Sequence, residues 1–242
     1  VTGIRFDLAR RTPSGEARLL LDSTQAANAF LVSLSAAGDL SYIRGSTRRM
    51  LSLLGSRGEE LTTLGEANTY VVPAWSPDGR RLAYTAAVPG ASTPGIWIYD
   101  PKAGTTARLA TRAAASRAAW SPDGKRIAFI ISGVAEQPVG VIPADGSSAE
   151  SLLIAPPPKS SIREVEFTPD GKSLVITTNA TNQSKRDIAL VALNGAGSQT
   201  MPLVATPADE RQPAVSPDGR WLPYMSAESG RDRIHVRPRK GP

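Results

Sequence analysis

Nearly the same five residues are written four times along this chain: Trp75-Ser76-Pro77-Asp78-Gly79, Trp120-Ser121-Pro122-Asp123-Gly124, Phe167-Thr168-Pro169-Asp170-Gly171 and Val215-Ser216-Pro217-Asp218-Gly219. Their aspartates recur at intervals of 45, 47 and 48 residues. A period of this length marks a repeat architecture, in which each unit buries its apolar surface only against its neighbours. Whatever the chain folds into must therefore place one such phrase in each unit.

The phrase itself reads as a hairpin turn. Proline pre-sets φ for the first central position of a type I turn, and aspartate suits the second. Glycine takes the positive φ that closes the hairpin. Asp78, Gly79, Asp123, Gly124, Asp170, Gly171, Asp218 and Gly219 are thus structural turn residues, each carboxylate bonding nearby backbone N–H groups. Before the first turn, residues 70–75 form an apolar run. After it, residues 80–85 alternate polar and apolar as a half-buried strand should. Residues 96–99 and 106–110 supply a third and a fourth strand. The same parse gives strands at 127–131, 139–142 and 151–154, then at 174–177, 188–192 and 201–204, with Asn194-Gly195 turning an outer hairpin. A decayed copy has Ser35-Ala36-Ala37-Gly38 at the turn and strands at 39–43, 50–54 and 60–64.

Four-stranded antiparallel units at this period predict an all-β fold, a β-propeller. A solenoid of sheets is the weaker alternative, because blades hide their edges by radial closure. The expected division is one domain over 1–242: outer strands of a partial blade at 1–22, with a turn at Gly15, then blades at 23–66, 67–111, 112–155 and 156–206, and an incomplete blade at 207–242. A six-bladed ring is the natural closed form, with about five blades and a partial one present.

Composition narrows the function. With 40% hydrophobic and 21% charged residues the chain is an ordinary globular one, and without cysteine it carries no disulfide or thiolate chemistry. No apolar run approaches the ~20 residues of a membrane-spanning helix, and no signal peptide is read in the chain. The net charge of +6 comes with only 5% aromatic residues, which do not interleave with the arginines as a base-stacking surface requires. Nucleic acid is therefore an unfavoured partner.

The phrase Trp-Ser-Pro-Asp-Gly followed by Arg/Lys-Arg-Leu/Ile-Ala-Tyr/Phe, at 75–84 and 120–129, resembles the WD-like propeller repeat of TolB. The resemblance covers nearly the whole chain. Arg5-Phe6-Asp7-Leu8, the unit at 34–42 and Ile234-His235-Val236-Arg237-Pro238 further resemble the propeller that follows the membrane segment in bacterial serine/threonine protein kinases. Related propellers also precede the catalytic domain of prolyl oligopeptidase-type peptidases. These likenesses imply a periplasmic or extracytoplasmic domain of the bacterial cell envelope. They transfer no kinase activity, since no kinase motif is present.

Catalytic machinery is not read here. There is no Gly-x-Ser-x-Gly elbow, and His235, the single histidine, sits in a predicted strand as a surface or half-buried residue rather than a base. Gly171-Lys172-Ser173 is no phosphate loop, because Glu166 stands where the first glycine belongs and the segment is a hairpin. The motif aspartates fall in separate units, so no metal or other cofactor is expected. One pattern points to a ligand. Arg117 lies six residues before its motif aspartate, and Arg163 and Arg211 lie seven before theirs. All three lead into innermost strands, where they can ring a channel mouth and meet an acidic ligand. The simpler alternative has them solvated or paired with Glu164 and Glu210.

The reading as a whole is a non-catalytic propeller that binds a protein or peptide, with acidic character suggested by the arginines. The alternative is the sensor or gating propeller of a larger kinase or peptidase whose catalytic domain lies outside this chain.

Overall fold

In the computed structural model, the described residues are 2–7, 12–19, 30–35, 39–44, 49–55, 59–67, 69–87, 93–109, 111, 114–180, 185–193 and 200–239. Every regular element among them is a strand. Blade one contains β3 (Phe30–Leu34), β4 (Leu40–Arg44), β5 (Arg49–Leu54) and β6 (Glu60–Ala67). Blade two contains β7 (Thr69–Trp75), β8 (Leu82–Ala87), β9 (Gly95–Asp100) and β10 (Thr105–Arg108). Blade three contains β11 (Ala114–Trp120), β12 (Arg126–Ser132), β13 (Val139–Pro143) and β14 (Ser151–Ile154). Blade four contains β15 (Ser160–Phe167), β16 (Ser173–Ala180), β17 (Asp187–Ala192) and β18 (Thr200–Val204). Blade five has three strands, β19 (Glu210–Arg211), β20 (Trp221–Ser226) and β21 (Arg233–Pro238). A separate two-stranded sheet joins β1 (Thr2–Asp7) to β2 (Thr12–Leu19).

The described residues thus form five blades and a ribbon, one blade short of the six-membered ring expected from the repeat. The ribbon also corrects the expectation at Gly15. The hairpin reverses between Asp7 and Thr12, and Gly15 lies inside β2 at φ 78°, where the register to β1 shifts. The glycine serves an irregularity in the ladder rather than a turn. The Asn194-Gly195 turn lies outside the described residues.

The repeated phrase closes as its chemistry requires. Gly79, Gly124, Gly171 and Gly219 have φ between 66° and 71°, and each N–H donates to the carbonyl of its Ser or Thr three residues back at 2.8 Å. In blade two Ser76 Oγ donates to Asp78 Oδ1 at 2.6 Å, and the N–H of Arg80 donates to the same oxygen at 3.1 Å. Arg81 N–H donates back to Ser76 Oγ at 2.9 Å, so the hydroxyl organises the whole loop. The other three phrases repeat this network. The hydroxyl bond first, and the backbone bond after it, hold all four carboxyls below their ordinary range, with Asp218 at about 2. The decayed unit keeps the hydroxyl: Asp39 N–H donates to Ser35 Oγ at 2.9 Å.

Blades two, three and four are buried on both faces, so their central strands are nearly continuously apolar rather than alternating. Along β12, Ile127 and Phe129 pack against Ala83, Ile96 and Ile98 of blade two. Their neighbours Ala128 and Ile130 pack against Ile162, Leu174 and Ile176 of blade four. The period of two sends alternate residues into two different cores. Leu51 and Leu53 meet Leu82 and Tyr84 between blades one and two, and Val175, Ile188 and Leu190 meet Leu222 and Tyr224 between blades four and five. Inner strands follow one another around an axis, β3 against β7, β7 against β11 and β11 against β15, with β17 against β19 in blade five.

Candidate functional site

The inner strands enclose a cavity of about 850 Å³ lined from all five blades, by Ser33, Val72–Trp75, Pro77, Arg117–Trp120, Glu164–Glu166 and Gln212–Ala214. It is the channel of the propeller. The strands that line it are irregular at the same place. The ladder of β7 to β8 shifts between Val71 and Ala74, that of β11 to β12 between Ser116 and Ala119, and that of β15 to β16 between Ile162 and Glu164. At the first two bulges Val72 and Arg117 take left-handed backbone conformations, with φ of 27° and 53°, and Gln212, just after β19, does so at 51°. Non-glycine residues seldom do so, and such strain persists where surrounding structure imposes it, often at functional sites.

Two columns of equivalent residues face the channel. Three positions before each motif aromatic or Val215 stand Val72, Arg117, Glu164 and Gln212. One position before it stand Ala74, Ala119, Glu166 and Ala214. In the first column Glu164, only 6% exposed, ties three blades together. Its Oε1 lies 3.4 Å from Arg117 Nη1 of blade three, and its Oε2 accepts the N–H of Gln212 of blade five at 2.8 Å. In the second column Glu166 stands where blades two, three and five carry alanine. Its Oε1 accepts the Val215 N–H at 3.3 Å, and no cation pairs with it among the described residues. Removal from water is the dominant effect on this carboxyl and pushes it up to about 7, against the smaller pull of the Val215 N–H.

The three arginines picked out in the sequence do not converge. Arg117 lines the channel and is engaged with Glu164. Arg163 is exposed, its Nε donating to Asn179 Oδ1 at 2.7 Å and its Nη1 to Gln137 Oε1 at 2.9 Å. Arg211 pairs with Asp209 at 2.7 Å and with Asp232, in a cluster where Arg186 also grips Asp209 through two bonds. That grip, chiefly the Arg186 bond, brings Asp209 down to about 2. The register explains the difference. The residues equivalent to Arg117 are Glu164 and Gln212, each one place beyond the arginine chosen by counting, and one step along a strand turns a side chain to the other face. His235 lies on β21 opposite Tyr224, their rings stacked with centroids 5.5 Å apart. Among the described residues no three His, Cys, Asp or Glu side chains group as metal ligands, and no helix is long and apolar enough to cross a membrane.

No protein-family model matches the sequence, nor does any curated protein. Solved structures do. TolB from Acinetobacter baumannii is 21% identical over 92% of this chain, with a TM-score of 0.73, and the chain spans 54% of its length, about half. The Agrobacterium tumefaciens protein assigned as TolB is 17% identical over 97% of this chain and 86% of its own, also at 0.73. The chain has the TolB-type β-propeller fold. A gluconolactonase from Xanthomonas campestris shares the architecture too, at 14% identity over 92% of this chain and 75% of its own, with a TM-score of 0.68. TolB-type propellers and an enzyme thus stand on one fold, and function must be argued from the site.

Glu164 and Glu166 were legible in principle. Aligning the repeats on their turns puts Glu164 in the column of Arg117 and shows Glu166 where three other blades have alanine.

Proposed function

We propose that this propeller is a non-catalytic scaffold of the bacterial cell envelope that docks a protein or peptide at its channel. One contrast supports this most: the turn phrase is nearly constant from blade to blade, whereas the channel columns change from Val72 to Arg117 to Glu164 to Gln212. Repetition there would suffice for a scaffold alone. Variation, backbone strain and a desolvated carboxyl gathered around one cavity fit a recognition site. An acidic partner lying across the surface would meet the exposed Arg163, because Arg117 and Arg211 already hold carboxylates. The same docking role serves the alternative in which the chain is the sensor or gating propeller of a larger kinase or peptidase.

A second reading, proton transfer inside the channel, draws on the Glu166 carboxyl at about 7 and on the gluconolactonase of like fold. It requires turnover of a substrate, which the scaffold reading does not. The deciding variant is Ala119→Phe, which fills the cavity without altering a charge. Wild-type protein coupled to resin is expected to retain a partner from envelope extract that Ala119→Phe releases. Equal retention by both proteins overturns the channel as the docking site.

A further inference from the structure

The walls of the channel are mostly apolar, with Pro73, Ala74, Trp75, Trp120, Val165 and Pro213 among them. The charged residues among those lining it are Arg117, Glu164 and Glu166. The first two are partners, so the positive charge of Arg117 is answered within the protein. Glu164 is further satisfied by the Gln212 N–H. Among the described residues Glu166 alone of the three has neither a cation beside it nor a short hydrogen bond, its one hydrogen bond being from the Val215 N–H at 3.3 Å. Glu166 is half-buried, and a carboxylate partly withdrawn from water without a counter-ion is one that a cationic ligand can complete.

The equivalent positions of blades two, three and five hold alanine, and Ser33 of blade one lines the same cavity. Small residues on those sides leave open space in front of a single acceptor. We infer that the channel takes up a primary ammonium on an aliphatic stem, such as a partner's lysine side chain, with Glu166 as its counter-ion. The stem lies along the proline, alanine and tryptophan walls, and the ammonium donates to the carboxylate in a charge-assisted bond strengthened by the low surrounding dielectric. This rests on the docking reading above and specifies what the partner inserts. It also reverses the sign of the charge that counting arginines suggests for the ligand, because Glu164 neutralises Arg117 and leaves the net carboxylate in the channel.

Proton linkage follows from the same geometry. The ammonium favours ionised Glu166, so the affinity strengthens as pH rises through neutrality. Three probes separate the possibilities: Nα-acetyl-lysine amide, its uncharged analogue Nα-acetyl-norleucine amide, and Nα-acetyl-glutamate amide, each followed by tryptophan fluorescence since Trp75 and Trp120 line the cavity. The lysine probe is expected to bind at least about tenfold more tightly than the norleucine probe above neutral pH, a preference that Glu166→Gln abolishes. Glu166→Ala, which installs the residue of three other blades, is expected to fold normally by circular dichroism and to show the same loss.

Equal binding of the lysine and norleucine probes overturns the inference, as does a lysine preference that survives Glu166→Gln, or a lysine probe that does not bind at all. Preference for the glutamate probe also overturns it and returns the channel to an anionic ligand. The docking reading fails separately, when Ala119→Phe retains the partner as well as wild type does.

Discussion

A carboxyl that leaves water without a cation beside it holds its proton to higher pH, and Glu166 does so up to about 7. Well below the ordinary carboxylate value it is protonated in folded and unfolded chains alike and contributes nothing. Between that value and about 7 only the folded chain keeps the proton, so stability falls as pH rises through this window. Above it the full cost of the partly desolvated charge is present. Glu166→Gln is therefore expected to raise stability above neutral pH by on the order of 1–3 kcal/mol, with little gain at acid pH. Urea unfolding at both conditions checks this, and an equal gain at both assigns the effect to something other than charge. The turn aspartates have the opposite sign. Their lowered values add stability that is complete above the ordinary carboxylate range and is lost as pH falls toward about 2, the value of Asp218. The hydroxyl that sets those turns is buried, as at Ser121, which is 1% exposed. Ser121→Ala removes the acceptor of the Arg126 N–H and the donor to Asp123, and is expected to cost about 1–2 kcal/mol in thermal or urea unfolding.

At the scale of the strand, two-faced burial explains why sequence periodicity located the elements so well. The apolar run at 127–131 predicts a strand, and β12 spans Arg126–Ser132. Apolar runs of this kind arise because neighbouring blades cover both faces, so no polar face is left to alternate. Packing inside the sheet was not legible in the same way. Phe129 is fully buried opposite Gly140 on β13, and a Cβ at Gly140 would stand 2.7 Å from the ring's Cζ. Gly140 looks like an ordinary weak strand position in the sequence, yet the ring occupies the space that its missing side chain leaves. Gly140→Ala is expected to cost about 1–3 kcal/mol through overpacking, read as a lowered unfolding midpoint. Phe129→Leu in the same background should recover part of the loss by vacating the ring edge.

Across the whole molecule, stability resides between blades rather than within them. Leu222 is 1% exposed and packs toward Val175, Ile188 and Leu190 of blade four. Ile234 belongs to the same blade and is 75% exposed. Register explains the contrast: Tyr224 and His235 share the face toward blade four, and Ile234 lies on the other. Leu222→Ala is expected to cost about 2–5 kcal/mol, whereas Ile234→Ala should change stability by less than about 0.5 kcal/mol. Comparable losses for the two would mean that the far face of blade five is covered. The turn phrase, its hydroxyl-to-carboxylate network and the strands that flank it were determined by the sequence itself. Every bond in that network joins residues no more than five apart, so local chemistry suffices. The channel was decided only by tertiary structure. Glu164 reaches Arg117 in the preceding blade and Gln212 in the following one, the latter 48 residues away, and bulges in the inner strands choose which side chains point inward. A one-residue change of register exchanges Arg163 for Glu164 and Arg211 for Gln212, and spacing between turns does not carry that information.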